Sequence, residues 1–193
     1  MIVYIGIDDT DNPESRGTGH LARVIAEQLS ARYAIAGITR HQLLFDPRVP
    51  YTAKNSSAAV MLEADEKVDL QALFNTVRTI MLADFQPGSD PGLCVASYVP
   101  DDVSTFGQKA KVDLVSQMEA RALASQSGIL LEGLGGTQDG VIGALSAVGL
   151  CSAGEDGRYI RVGSVRELQG WQPVEAVLAA GVARVQTLAG EII

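Results

Sequence analysis

The feature that most constrains this chain is an apolar run, Ile2, Val3, Ile5 and Ile7, that leads directly into Asp8-Asp9-Thr10-Asp11. The run reads as a buried strand over residues 2–7. The acids then stand at its C-terminal end, where open α/β sheets hold ligands. Three carboxylates within four residues repel one another unless a cation neutralises them, and Mg²⁺ bound through one or two carboxylates plus substrate phosphates is a common solution. Asp8, Asp9 and Asp11 are therefore the candidate metal-binding and catalytic residues. An acidic turn that only caps the next helix is the alternative reading.

Downstream, Gly17-Thr18-Gly19 precedes Leu21, Val24, Ile25 and Leu29, the stripe of an amphipathic helix over residues 18–32 with Thr18 as its expected N-cap. A glycine-flanked helix N-terminus presents unpaired N–H groups and the positive end of the dipole, so Gly17, Thr18 and Gly19 are candidates for holding phosphates. Neither a Walker A lysine nor GxGxxG follows the strand.

Periodicity continues with strands over 34–45, 56–64 and 92–98 and a helix over 68–84. The resulting order, β-α-β-β-α-β, is ferredoxin-like. Residues 1–100 thus read as a nucleotide- and metal-binding half. Asp46-Pro47-Arg48-Val49-Pro50 ends the second strand near Phe45 and opens a loop in which Lys54 could clamp a phosphate or face solvent. Residues 101–193 read as a second α/β half, with a helix over 113–127, a strand over 129–131, an apolar helix over 141–150, and Trp171 as a loop anchor before a helix over 173–180. Between strand and apolar helix lies Gly133-Leu134-Gly135-Gly136-Thr137-Gln138-Asp139-Gly140, four glycines in eight residues. Such density permits a tight turn or close approach of a ligand to the backbone. Gly135, Gly136, Asp139 and Gly140 are candidate binding residues, with Asp139 either pairing with an amine or capping the helix. On this reading a valine at Gly136 or Gly140 harms function more than folding. His20, in the first helical turn, and His41, within a strand, carry weaker signals.

At 193 residues, 47% hydrophobic and 20% charged, the chain suits one compact unit or two interlocked ones. Cys94 and Cys151 stand far apart without a metal-ligand spacing and read as core residues, and no apolar run is long enough to span a membrane. A cytoplasmic location is expected. Net charge is −8, with 8 Lys and Arg against 12 Asp and Glu in residues 1–100 and 7 against 11 in residues 101–193. Neither half supplies an obvious basic stripe, so no direct tRNA binding is expected.

The stretch Ile5 to Ala22, with Gly6-Ile7-Asp8-Asp9-Thr10-Asp11 and a threonine just before the first helix, resembles the N-terminus of the archaeal tRNA(Ile2) 2-agmatinylcytidine synthetases. Phe45 to Tyr51, Lys54-Asn55-Ser56 and Asp139 to Leu145 are similar to later motifs of that family, so the resemblance covers residues 1–160. It implies a ferredoxin-like unit packed with a small α/β kinase-like unit and dependence on ATP and Mg²⁺. It also implies metal and phosphate handling by Asp8, Asp9 and Asp11, a phosphorylatable Thr18, and an amine site near the glycine loop. Gly19 and His20 stand where the family has Thr-Tyr, and Thr52 where it has a lysine. The resemblance does not extend to the family's OB-fold and zinc ribbon, and no CxxC is present. The implied function is ATP-dependent phosphoryl transfer to a small acceptor or amine. A nucleotide-binding regulatory module, or a tRNA-modifying subunit with a separate RNA-binding partner, are the alternatives, and a homodimer is left open.

Overall fold

A computed structural model describes residues 1–51, 54–161 and 163–193; Thr52 lies outside the described residues. Six strands form one antiparallel sheet: β1 (Ile2–Asp8), β2 (Ala34–Gln42), β3 (Ser56–Glu63), β4 (Gly92–Ala96), β5 (Leu130–Gly133) and β6 (Arg158–Arg161). Their spatial order is β5-β4-β1-β3-β2-β6. The central four, with α1 (Thr18–Leu29) and α2 (Leu70–Ala83), make the expected ferredoxin-like unit, and β1 pairs with both β3 and β4. The second half adds β5 and β6 to the sheet edges and a helical layer to its other face.

Alternation along β1 explains the three layers. Val3, Ile5 and Ile7 are fully buried against α1 and α2 through Leu21, Ile25, Leu29, Leu73, Phe74, Val77 and Met81. Each fully buried side chain of this kind contributes roughly 1.5–3 kcal/mol. Tyr4 and Gly6 face the opposite side, where α5 (Gly140–Ala153) lies across β1, β4 and β3. Alpha5 is apolar around most of its circumference because α3 (Asp101–Val112) and α4 (Gln117–Gln126) cover its outer side.

The seat of α5 is made of glycines. A Cβ at Gly6 would overlap the carbonyl oxygen of Ala144, one at Gly92 the carbonyl of Gly140, and one at Gly140 the carbonyl oxygen of Asp90. Gly136, at φ +55°, abuts Asp90, and Gly135 abuts Phe85. The close approach permitted by Gly136 and Gly140 is therefore to the protein's own loop over residues 89–92, and a valine at either position strikes the fold first. This corrects the expectation that such a change would mainly impair function.

Buried His41 ties the layers together beside this seat. Its Nδ1 is 2.9 Å from Asp156 Oδ1 and its Nε2 2.8 Å from Thr39 Oγ1, while Lys111 at the end of α3 donates to the other oxygen of Asp156. Burial lowers the His41 pKa against the opposing pull of Asp156. Burial raises that of Asp156, but Lys111 and His41 outweigh it and hold it low.

Other boundaries shift modestly. Beta2 ends at Gln42 rather than Phe45, although the amide of Leu43 still bonds the carbonyl of Asn55. The C-terminal helix, α6 (Val174–Ala179), is short, and Trp171 is fully exposed and anchors nothing. Cys94 and Cys151 are buried free thiols. Among the described residues no helix is long and apolar enough to cross a membrane.

If the glycine seat holds α5, Gly6→Ala should destabilise the protein by about 1–3 kcal/mol. A urea midpoint equal to that of the parent chain would show that α5 does not rest on β1 at this distance.

Candidate functional site

The C-terminal end of β1 opens into a cleft of about 250 Å³. It is lined by Asp8, Asp9, Asp11 and Thr18 and, beside them, by Asp139, Gly140 and Gly143 at the start of α5. Leu43, Leu44 and residues 48–51 close one side, and Ala110 and Asp113 from the end of α3 close another. The acids predicted from the first motif and the start of the apolar helix thus share one cavity, because α5 seats beside β1.

Local geometry fixes the acids. The Asp8 carboxylate lies against Gly143, where a Cβ would overlap its Oδ2. Asp9 adopts φ +49°, a left-handed conformation that aspartate tolerates better than most residues. Burial, reinforced by Asp9 and Asp11, pushes the Asp8 pKa up to about 8. Burial, reinforced by Asp90 and Asp11, pushes Asp9 up to about 6, although an N–H of Asp90 moderates it. Among the described residues no cation forms an ion pair with these carboxyls. Arg48 is already bonded to Asp46 through Nε at 2.7 Å and Nη2 at 2.8 Å, whereas Lys54 lines the rim and forms no ion pair among the described residues.

Among the described residues no three His, Cys, Asp or Glu side chains converge closely enough to cage a metal by themselves. The donor chemistry nevertheless suits Mg²⁺, which needs only one or two carboxylates when phosphates complete its shell.

Thr18 departs from expectation in detail. Gly17 is the N-cap of α1, and the Thr18 hydroxyl instead lies 3.4 Å from Asp11 Oδ1 and accepts from Thr10 Oγ1 at 3.2 Å. Asp139 does not cap α5 with its side chain; it accepts from Gln117 Nε2 at 2.6 Å and Thr137 Oγ1 at 3.0 Å. Gly17, Gly19 and His20 line an adjoining concavity rather than the cleft, and Gly135 and Gly136 line neither. Sequence reasoning missed Asp90, whose charge reaches Asp9, and Asp113, which also lines the cleft. The turn Gly88-Ser89-Asp90-Pro91-Gly92 before β4 was a readable signal for the first.

No family model matches the chain. Among curated proteins it is similar to the tRNA(Ile2) 2-agmatinylcytidine synthetase TiaS of Pyrococcus horikoshii, 29% identical over 155 residues, and to that of Pyrobaculum neutrophilum, 30% identical over 155 residues. Both matches cover 77% of this chain, and it spans only 36% and 35% of the respective relatives. Among solved structures it resembles a TiaS–tRNA(Ile2)–ATP complex with a TM-score of 0.67 and 25% identity, over 77% of this chain and 36% of that one. The resemblance read from the first motif therefore holds. The expectation of no direct tRNA binding draws no support from relatives of which two solved structures contain tRNA.

A carboxyl with a raised folded-state pKa binds its proton more tightly when folded, so its contribution to stability is greatest below the ordinary value near 3.8 and is lost as pH rises toward 8. In EDTA the melting temperature should accordingly fall as pH rises across that window, and Asp8→Asn should flatten the fall. Parallel melting curves for the two proteins would show that Asp8 is not held protonated.

Proposed function

We propose that this chain, a relative of the tRNA(Ile2) 2-agmatinylcytidine synthetases over about three quarters of its own length, is the ATP- and Mg²⁺-using part of an enzyme that activates an acceptor by phosphoryl transfer. The observation that carries the reading is the crowding of Asp8, Asp9 and Asp11 at the cleft, with the pKa values of Asp8 and Asp9 raised by burial and by repulsion from neighbouring carboxylates.

Asp8 and Asp9, with Asp11, would hold Mg²⁺, which when bound offsets the charge of the phosphates. Lys54, on the rim, is suited to contact a phosphate oxygen as a point charge. The hydroxyl of Thr18, held between Thr10 and Asp11, faces the same space. Catalysis here would rest on positioning and charge neutralisation rather than on a nucleophile of high intrinsic reactivity.

The further acids of the cleft support a finer step. Asp139, whose charge reaches Asp9, and Asp113 also line the cleft and are suited to a cationic amine. Once an acceptor oxygen carries a phosphoryl group, the amine nitrogen, after giving up a proton to a carboxylate or to solvent, can attack the adjoining carbon as the carbon–oxygen bond breaks and phosphate leaves. The relatives' name supplies candidates for both reactants, a tRNA cytidine as acceptor and agmatine as amine.

Nucleotide titrations followed by thermal melting test the reading. ATP at 100 times its dissociation constant should add about 2.7 kcal/mol of stability, but only with Mg²⁺. Asp8→Asn and Asp11→Asn should reduce that gain, and ATP should turn over once a suitable acceptor is supplied. Equal stabilisation by ATP in EDTA and in Mg²⁺ would rule out the role given to the carboxylates.

A further inference from the structure

Beside the acidic cleft, and continuous with it through Asp11, Thr18, Lys54 and Ser56, lies a second concavity of about 730 Å³. Its lining has the opposite charge. Arg16, Arg23, Arg40 and Lys54 face it, together with His20 and Asn12. Two further arginines adjoin it. Arg158 stands opposite Arg40 in the β2–β6 ladder, so the two side chains share a face of the sheet. Arg166 donates from Nη1 to the carbonyl of Ile160, itself a lining residue, at 2.9 Å.

Six of the chain's 15 lysines and arginines thus gather on one face of a protein whose net charge is −8. Among the described residues none of the six forms an ion pair, although Arg48, Arg78, Lys109 and Lys111 elsewhere all do. Arg40 spends one donor on Ser56 Oγ at 2.7 Å, and Arg23 has its pKa lowered by burial and by Arg166. Like charges held together in a concave surface whose lining holds a single carboxylate, Asp11 at the junction, repel, and an anion of several oxygens relieves that repulsion. Guanidinium groups match phosphate oxygens by paired hydrogen bonds.

We propose that this concavity is a phosphate-ester site that anchors the acceptor by its own phosphate while the acceptor's reactive group enters the acidic cleft. The assignment of the ligand as acceptor rests on the function proposed above; the anion site itself does not. The shared junction at Thr18 and Lys54 makes the two spaces one trough, cationic at one end and anionic at the other. A free nucleoside phosphate and an internucleotide phosphate present the same chemistry to these arginines.

Binding in EDTA separates this site from the metal-dependent one. Uridine 5′-monophosphate and a 5′-labelled pentauridylate should both bind the parent chain, and uridine should not. A pentauridylate that binds tighter, with a log–log salt slope of about −2 to −3, identifies internucleotide phosphates as the source, since each neutralised phosphate of a single strand contributes about −0.7. A monophosphate that binds at least as tightly identifies the free ester. The double variant Arg23→Gln, Arg40→Gln should weaken either probe tenfold or more while keeping the thermal response to ATP with Mg²⁺. Exposed Arg16→Gln, Arg158→Gln should act in the same direction, and melting curves confirm that each variant folds.

Uridine binding as well as its monophosphate, or phosphate binding unchanged in both double variants, would overturn the proposal. So would a loss of ATP–Mg²⁺ response as large as the loss of phosphate binding, which would assign the arginines to the ATP tail. Phosphate binding that depends on the arginines in a protein indifferent to ATP would uphold the anion site and refute the proposed function instead.

Discussion

Helix α5 lies nearer to the sheet than any side chain would allow, and the rest of the molecule depends on that contact. Gly6, Gly92 and Gly140 remove the Cβ atoms that would hold the two apart. An antiparallel sheet commonly leaves one face to water, but this one is covered on both. Beta1 consequently reads as an almost unbroken apolar run, and α5 as a helix without a polar face. The same contact brings the first turn of α5 beside the last residue of β1. Of the glycines that looked like ligand-binding elements in the sequence, Gly135 and Gly136 pack against Phe85 and Asp90, while Gly140 both seats α5 and lines the cleft.

That arrangement sets the electrostatics. Asp8 is pressed against Gly143 at the bottom of the junction with Asp9 and Asp11 beside it, and Asp90 of the 89–92 loop in turn adjoins Asp9. Burying mutually repelling carboxyls costs stability that the apolar layers must offset. Among the described residues the two non-glycine positions with positive φ, Asp9 and Gln138, both sit in the turns that meet here. Strain and uncompensated charge in the same few residues are expected where a site is preorganised for a ligand rather than for the stability of the empty protein.

The ferredoxin-like half was legible because local periodicity and sheet order agree. Alternation at Val3, Ile5 and Ile7 and the helical stripes at Leu21–Leu29 and Leu73–Met81 face a single core. The first motif was legible for the same reason, since a strand that ends in acids can present them only at its tip. What could not be read was anything that depends on tertiary approach. The proximity of Asp90 to Asp9 and of Asp113 to the cleft comes from loops 80 or more positions away in sequence from β1. The burial of His41 with Asp156 and Lys111 joins β2 to the segment before β6. Trp171 misled because a large aromatic residue suggests a packed anchor, and here no element passes close enough to cover it.

Charge taught the opposite lesson from periodicity. A net charge of −8, split evenly between the halves, argues against phosphate binding only if charges are mixed over the surface. Here they are separated across the N-terminus of α1. Carboxylates collect where β1 ends, and arginines collect where α1, β2 and β6 meet. Each set is repulsive within itself, so each favours a ligand part of opposite sign. On the proposed reading a ligand that spans both is anionic at one end and cationic or metal-bound at the other, as a phosphate ester meeting an amine would be. The sum of charges over the sequence conceals that separation.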